Sequence, residues 1–329
     1  MKLKRKVIWL NTTFDIIHSE WDSFKDDNIK YDLIYLDPPF FTQTSYTMSD
    51  GKSSIGFEDR WKNLEEYMEW FLNVFETSYN SLSSSGVIYS HNNFKMNAFL
   101  LSRLPKKITN NFVTNISWLR SHPHNNIKKS WGNIVDSIMM ISKTKDFYFK
   151  VLYGDLDNKY SKNSFTNKDG VGNYSLTPIT GEKSRVGYDF EYNNVRPKFG
   201  WRYKEDKIKK LHGKDLIHWG KNKPYKKLYL HESKGRPIQN FWDDIHPITR
   251  TELNKRNYPT QKPIKLLDRI IESSCPKGGK VLDPFGGSGT TLISSLENQI
   301  PSYVKVIDIN KDAIDLMNKL SNQGLLKFS

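Results

Sequence analysis

The sequence predicts an α/β fold: a doubly wound, mostly parallel, seven-stranded sheet carrying an inserted irregular lobe. Three observations carry this. Strand and helix patterns alternate through residues 1–145 and again through 258–329, and such alternation builds a parallel sheet with crossover helices. Between them, residues 146–257 are rich in Lys, Asn, Tyr and Gly and have little sustained periodicity. Two strand patterns run straight into Asp-Pro, in "YDLIYLDPPF" and "VLDPF". Proline cannot donate a ladder hydrogen bond, so both strands must stop there.

Each element has its own signal. "VIWLN" (7–11) reads as a short first strand. The basic start before it lacks the apolar run and small-residue cleavage site of a signal peptide. "YDLIYLD" (31–37) is the second strand. "LEEYMEWFLNVFETSYNSL" sets Tyr67, Phe71, Val74 and Phe75 at helical spacing. "GVIYSHNN" (86–93) is a strand and "FKMNAFLLSRL" a helix. "FVTNISWLRS" (112–121) and "SIMMISKT" (137–144) are strands joined by a polar loop, which adds an antiparallel edge.

After the lobe, "TQKPIKLLDRIIESS" is a helix, with Thr260 as its N-cap and Pro263 in the first turn. Ile264, Leu267 and Ile271 share its apolar face. "VLDPFGGSGTT" (281–291) is strand, glycine loop and helix start. "YVKVIDIN" (303–310) is the seventh strand, and a short helix follows.

Composition narrows the partners. A chain of 329 residues with 37% hydrophobic content buries a sizeable core. Fifty Lys and Arg against 36 Asp and Glu give a net charge of +14, which favours a polyanion. No apolar run is long enough to span a bilayer, so nucleic acid is preferred over a membrane surface. Cys275 is the one cysteine. That excludes an intrachain disulfide and cysteine-based zinc sites, and fits a cytoplasmic protein. His122 and His124 have no cysteine or carboxylate cluster beside them, so no metal is expected.

The two Asp-Pro loops are the candidate site. Ligands of open α/β sheets bind outside the carboxyl ends of the strands. Pro38 and Pro39 hold Asp37 and Phe40 rigidly just past such an end. In the second loop Gly286, Gly287 and Gly289 permit a tight turn and close approach to a ligand. Thr290 and Thr291 open a helix whose N–H groups point back at the loop. No Gly-Lys-Ser/Thr follows, and the glycine spacing is not that of a dinucleotide fingerprint. An acid beside a helix N-terminus suits a ligand with a cationic and an anionic end. Asp308 ends the next strand, where dinucleotide-type folds place an acid on ribose hydroxyls.

Taken in order, "DPPF", "TQKP" and "DPFGGSGTT" resemble a β-class amino-group DNA methyltransferase. In that class the catalytic motif comes first, the target-recognition region lies in the middle and the cofactor loop comes last. The resemblance covers residues 1–145 and 258–329 well, as the catalytic domain. It extends more loosely over 146–257, as a target-recognition lobe.

The resemblance implies a permuted S-adenosylmethionine-dependent methyltransferase fold. Asp37, Pro38, Pro39 and Phe40 would form the catalytic loop. Asp283, Phe285, Gly286, Gly287, Ser288, Gly289, Thr290 and Asp308 would bind S-adenosyl-L-methionine, with Asp37 beside it. Thr260, Gln261 and Lys262 would line its methionine end. Two departures stand out. The family's Gly-Asp pair at the end of the first strand matches "LNTTFDI", where Thr12 replaces the Asp, and the catalytic motif ends in Phe40 rather than the commoner Tyr.

The implied substrate is double-stranded DNA. Arg120, Lys128 and Lys129 would border the target-base pocket. Arg202, Lys226 and Lys227, in lobe segments that mix Lys with Trp and Tyr, would meet phosphates and base edges. The acid in the first motif leans toward the N6 amine of a flipped adenine, since cytosine N4 enzymes more often carry Ser there. A DNA-binding protein without catalysis is the alternative of another class. A cognate restriction endonuclease and a homodimer both stay open as partners.

Overall fold

The structure, a computed structural model, describes residues 3–9, 12–49, 54–123, 128–154, 162–221, 223–248, 258 and 260–327. The chain forms two compact units, residues 1–152 with 239–329, and residues 153–238. Strands β1 (Leu3–Trp9), β2 (Thr12–His18), β3 (Tyr31–Leu36), β4 (Thr44–Ser49), β5 (Ser54–Asp59), β6 (Leu82–Asn92), β7 (Phe112–Leu119) and β8 (Val135–Ser142) lie in the first unit. The second unit holds β9 (Asn167–Lys168), β10 (Asn173–Pro178), β11 (Ile217–Trp219) and β12 (Pro224–Tyr229). The chain then returns to the first with β13 (Phe241–Trp242), β14 (Lys280–Asp283) and β15 (Tyr303–Asp308). The helices that matter here are α1 (Leu64–Asn80), α2 (Phe94–Arg103), α3 (Lys106–Thr109), α4 (Glu205–Gly213), α5 (Ile264–Ser274), α6 (Thr290–Asn298) and α7 (Lys311–Lys327).

The main sheet has nine strands among the described residues, in the order β1-β2-β15-β14-β3-β6-β8-β7-β13. The run from β2 to β6 is parallel throughout. β8 is antiparallel to both β6 and β7, as expected for two strands with no helix between them. The two strands beyond the expected seven are β2 and β13. β2 forms an antiparallel hairpin with β1, so the expected strand at 7–11 stops at Trp9. Residues 10 and 11 lie outside the described residues. β13 pairs with β7, and Trp118 Nε1 donates to the Ile245 carbonyl at 2.9 Å. The chain therefore rejoins the sheet well before residue 258.

Helices cover both faces. α1 starts at Asn63, whose side chain accepts from the Glu66 N–H at 2.9 Å, while Glu66 accepts from the Lys62 N–H at 2.7 Å. The first bond satisfies an N–H that the first turn leaves without a partner, and the second fixes the chain where it enters the helix. Its Tyr67, Phe71, Val74 and Phe75 are all buried, against Ile34, Leu36, Ile88 and Ile141 of the sheet. Each such side chain contributes roughly 1.5–3 kcal/mol on burial. The opposite face takes α5, whose Ser274 Oγ meets the buried Tyr89 hydroxyl of β6 at 2.7 Å.

The second unit is more regular than its composition suggested. It has a four-stranded antiparallel sheet, β11-β12-β10-β9. Ile179, Trp201, Ile208, Leu211 and Ile217 form its small core. The strands are two to six residues long, too short to leave a period. Two helix expectations also change. The last helix spans 17 residues and is not short. Pro263, not Thr260, is the N-cap of α5, and Thr260 is left-handed at φ +57°.

Candidate active site

The switch point of the sheet lies between β3 and β14. From there the chain order runs outward through β15 on one side and β6 on the other, which opens a crevice at the carboxyl ends. Leu33 pairs with Val281 and Ile34 with Leu282, so Asp37 and Asp283 stand at neighbouring strand ends. Both line one cavity of about 680 Å³ in the first unit, within the usual range for a small-molecule site. The same cavity takes Pro38, Pro39, Phe40, Thr260, Gln261, Lys262, Phe285, Gly286, Gly287, Ser288, Thr290 and Asp308. Gly289 sits just behind, as the left-handed N-cap of α6.

The first loop is held by side chains. Tyr67 Oη donates to the Pro39 carbonyl at 2.7 Å, and Asn93 Nδ2 donates to the Phe40 carbonyl at 2.9 Å. Lys262 Nζ donates to both oxygens of Asp37, at 2.8 and 2.6 Å. The same ammonium lies 5.3 Å from the centre of the Phe40 ring. Beneath them, the buried His91 has its Nδ1 2.7 Å from the Tyr35 hydroxyl and its Nε2 3.3 Å from Asp136.

The second loop is held by its own backbone. Asp283 is 2% exposed. It accepts from the Phe285 N–H at 3.0 Å and from the Thr291 hydroxyl. Asp308 accepts from the N–H groups of Gly287 and Asn310, both at 2.7 Å. A Cβ on Gly286 would lie 2.3 Å from Val306 Cγ1, so only glycine lets the loop pack on β15. Thr290 Oγ1 donates to the Lys262 carbonyl at 3.1 Å, which ties the 260–262 segment to this loop.

Burial pushes the Asp283 carboxyl up to about 7. The Thr291 and Phe285 hydrogen bonds oppose that rise, and nearby Asp37 and Asp308 add to it. Burial also raises Asp308. Two acids that resist ionisation around one cavity are relieved by a cation placed between them. The cavity, the tight glycine and this unbalanced charge together fit a ligand with a cationic centre.

Several residues were not foreseen. Glu20, Trp21, Asp59, Trp61, Trp70 and Tyr258 also line the cavity. Thr12 is corrected: it is buried at the amino end of β2, where its hydroxyl donates to the Pro301 carbonyl. The carboxyl end of β2, beside Asp308, is His18, so Glu20 and Trp21 reach the cavity instead.

The cations expected on DNA divide. Lys128 and Lys129 are exposed, next to Trp131 at 97% exposure. Arg120 is half-exposed and pairs with Asp136 at 2.7 Å. In the second unit, Arg202 is held by Glu182 and the Thr180 carbonyl, and Lys226 is half-buried. Lys227 is a correction: it is buried and bridges Asp169 at 3.1 Å and Asp215 at 3.0 Å. Its ammonium already faces two carboxylates. His124 lies outside the described residues, and among those described no cluster of three His, Cys, Asp or Glu could hold a metal. No helix among them is long and apolar enough to cross a membrane.

The chain is similar in sequence to known proteins. The type II methyltransferase M.EcaI of Enterobacter cloacae is 26% identical over 268 residues, covering 80% of this chain and 59% of that protein. The DNA adenine methyltransferase YhdJ of Escherichia coli (strain K12) is 26% identical over 261 residues, covering 79% of this chain and 66% of YhdJ. The chain thus spans only part of the length of these curated relatives. The M1.HpyAVI–SAM complex aligns with a TM-score of 0.45 and 17% identity, over 93% of this chain and 99% of that one. A family model described as DNA methylase matches residues 31–319, from the start of β3 into α7, and the chain belongs to this N6/N4 DNA methylase family.

Proposed function

We propose that the chain is an S-adenosylmethionine-dependent DNA methyltransferase acting on the N6 amine of an adenine flipped out of duplex DNA. The observation that carries this reading is the pairing of Asp37 and Asp283 at adjacent strand ends, facing one cavity. Asp283, Asp308 and the glycine loop hold the cofactor, and Thr260, Gln261 and Lys262 close over its methionine end. When bound, the cofactor supplies an electrophilic methyl group on a cationic sulfur.

The remaining work belongs to the first loop. The amine lone pair is delocalised into the base, and acceptors on its two N–H bonds favour the tetrahedral shape that attacks. Asp37 is one acceptor. The Pro38 carbonyl is the other: its neighbours at Pro39 and Phe40 are already bonded, and Pro38 itself has no hydrogen bond among the described residues. Asp37 then takes the proton that the methylated amine releases. Phe40 stacks on the extruded base, recovering roughly 1–3 kcal/mol of the flipping cost. Phe in place of Tyr keeps this stacking and gives up a phenolic hydrogen bond.

Lys128, Lys129 and the exposed Trp131 suit a duplex surface. The middle lobe, with Arg202 and Lys226, would read the sequence. Asp37 and the relative named as an adenine methyltransferase support adenine over cytosine. A cognate restriction endonuclease, a second copy of the chain and a cytoplasmic location belong to the same proposal. The test is transfer of tritiated methyl groups to genomic DNA, with Asp37→Ala as control, followed by digestion to nucleosides. N6-methyladenine is expected. 4-methylcytosine would move the reading to the N4 amine, and binding without methylation at any sequence would leave a DNA-binding protein.

A further inference from the structure

We propose that Asp59 is a positioning residue: it locks the backbone of residues 40–42 into one shape and so sets the ring of Phe40 for the target base. This rests on the methyltransferase reading above. Asp59 ends β5 and is 1% exposed, yet it borders the cavity. Its Oδ2 accepts from the Phe40 N–H at 3.0 Å, the Thr42 N–H at 2.8 Å and the Thr42 hydroxyl at 2.7 Å. Its Oδ1 accepts from the Phe41 N–H at 3.1 Å and the Trp61 indole N–H at 3.0 Å.

A carboxylate offers about four lone-pair sites. Five donors exhaust them, so Asp59 has none left for a substrate amine and is not a second Asp37. Its role is to gather three consecutive backbone N–H groups, an arrangement that needs an unusual backbone. Phe41 supplies it at φ +57° and Gln43 follows at φ +56°. Left-handed backbone at a non-glycine residue is strained and persists only where its surroundings over-determine it. Asp59 is that surrounding. The Gln43 side chain adds a second grip, donating to the Trp61 carbonyl and accepting from its N–H, both at 2.9 Å. With Asn93 on its carbonyl, Phe40 is fixed at both its N–H and its C=O. The β4–β5 hairpin is therefore a clamp on the loop.

Asp59→Asn keeps the size and replaces one acceptor oxygen with a donor that faces N–H groups. Hydrogen exchange of the amides at 40–42 should quicken by about tenfold or more, while α1 amides stay unchanged. Thr42 is exposed, so its amide is shielded only through Asp59. Cofactor affinity should hold within about twofold, and kcat for DNA methylation should fall about tenfold. In a Phe40→Ala background the same change should cost less than about twofold, because the two residues act through one contact. A merely structural Asp59 would multiply its loss in both backgrounds, and that result overturns the proposal. Unchanged exchange at 40–42 overturns it as well. If Asp59→Asn does not fold, exchange in the unaltered protein decides: an unprotected Thr42 amide refutes the clamp. If the unaltered protein methylates no DNA, the methyltransferase reading fails, and the exchange result still judges the clamp.

Discussion

The two Asp-Pro loops begin alike and are built on opposite principles. After Asp37 come two prolines, and the loop is stiff and gripped by distant side chains: Asp59, Tyr67 and Asn93. After Asp283 come glycines, and the loop folds onto its own N–H groups and onto β15. The carboxylates differ in the same sense. Asp37 is 17% exposed at its side chain and already faces the Lys262 ammonium. Asp283 is sealed and resists ionisation. A partner that comes and goes suits an acceptor that keeps some exposure to the cavity. A cation held through the reaction suits an acid made to want one. The difference in burial, more than the shared motif, separates the roles of the two acids.

The sharpest way to break this contrast is to truncate each acid. Asp37→Ala should lower kcat by about a thousandfold, the scale for one preorganised charge-stabilising group, with cofactor affinity little changed by calorimetry. Asp283→Asn should do the reverse. It should weaken cofactor binding by about ten- to a hundredfold, while raising the thermal midpoint of the ligand-free protein above pH 7, since a buried charge is gone. If both variants lose cofactor binding equally, the division of labour is wrong.

The pH dependence follows with a definite sign. Asp283 has a folded value raised from 3.8 to about 7. Its contribution to ligand-free stability is therefore full at low pH and is lost as pH rises through about 7. Cofactor binding runs the other way. The cation needs the ionised acid, so affinity should rise with pH up to about 7 and flatten above it. Titrations in the pH range 5–9 check this, and Asp283→Asn should abolish most of the slope. The slope left in that variant would report Asp308, also raised by burial.

Smaller effects sharpen the substrate side. Phe40→Ala should cost roughly 1–3 kcal/mol in kcat/KM for DNA, and Phe40→Tyr far less. Replacing Lys128 and Lys129 together by Ala should reduce the salt slope of DNA binding by about one to two, without touching cofactor affinity. Lys227→Ala should leave that slope unchanged and lower the stability of the second unit instead, because it removes the cation that Asp169 and Asp215 share. A changed slope there would return Lys227 to the DNA surface.

Much of this was legible because strong signals are local. The β3 strand carries the apolar run 33–36, and both β3 and β14 run straight into Asp-Pro. The face of α1 follows from its 3.6 period. The β1–β2 hairpin was not legible: "FDIIH" carries a buried Asp15 inside the strand, which breaks the apolar pattern. Missing it matched the family's Gly-Asp pair to the amino end of β2, at Thr12. Asp59 hid in "GFEDRW", a stretch that reads as a charged turn, because its value lies in five bonds, four of them to a loop 17–19 residues away. Lys227 looked like Lys226 because a sequence does not tell which face of a two-residue period is sheltered.

The order β2-β15-β14-β3 has a kinetic consequence. Strands β2 and β3 are consecutive in the chain, yet two strands from the last fifty residues must slide between them. During synthesis the early half waits with its hydrogen-bonding edges open. Closure depends on contacts of very long sequence separation, which fold slowly and leave a sticky intermediate. The crevice that holds Asp37 and Asp283 thus cannot exist until β14 has been made, and no shorter chain can display it.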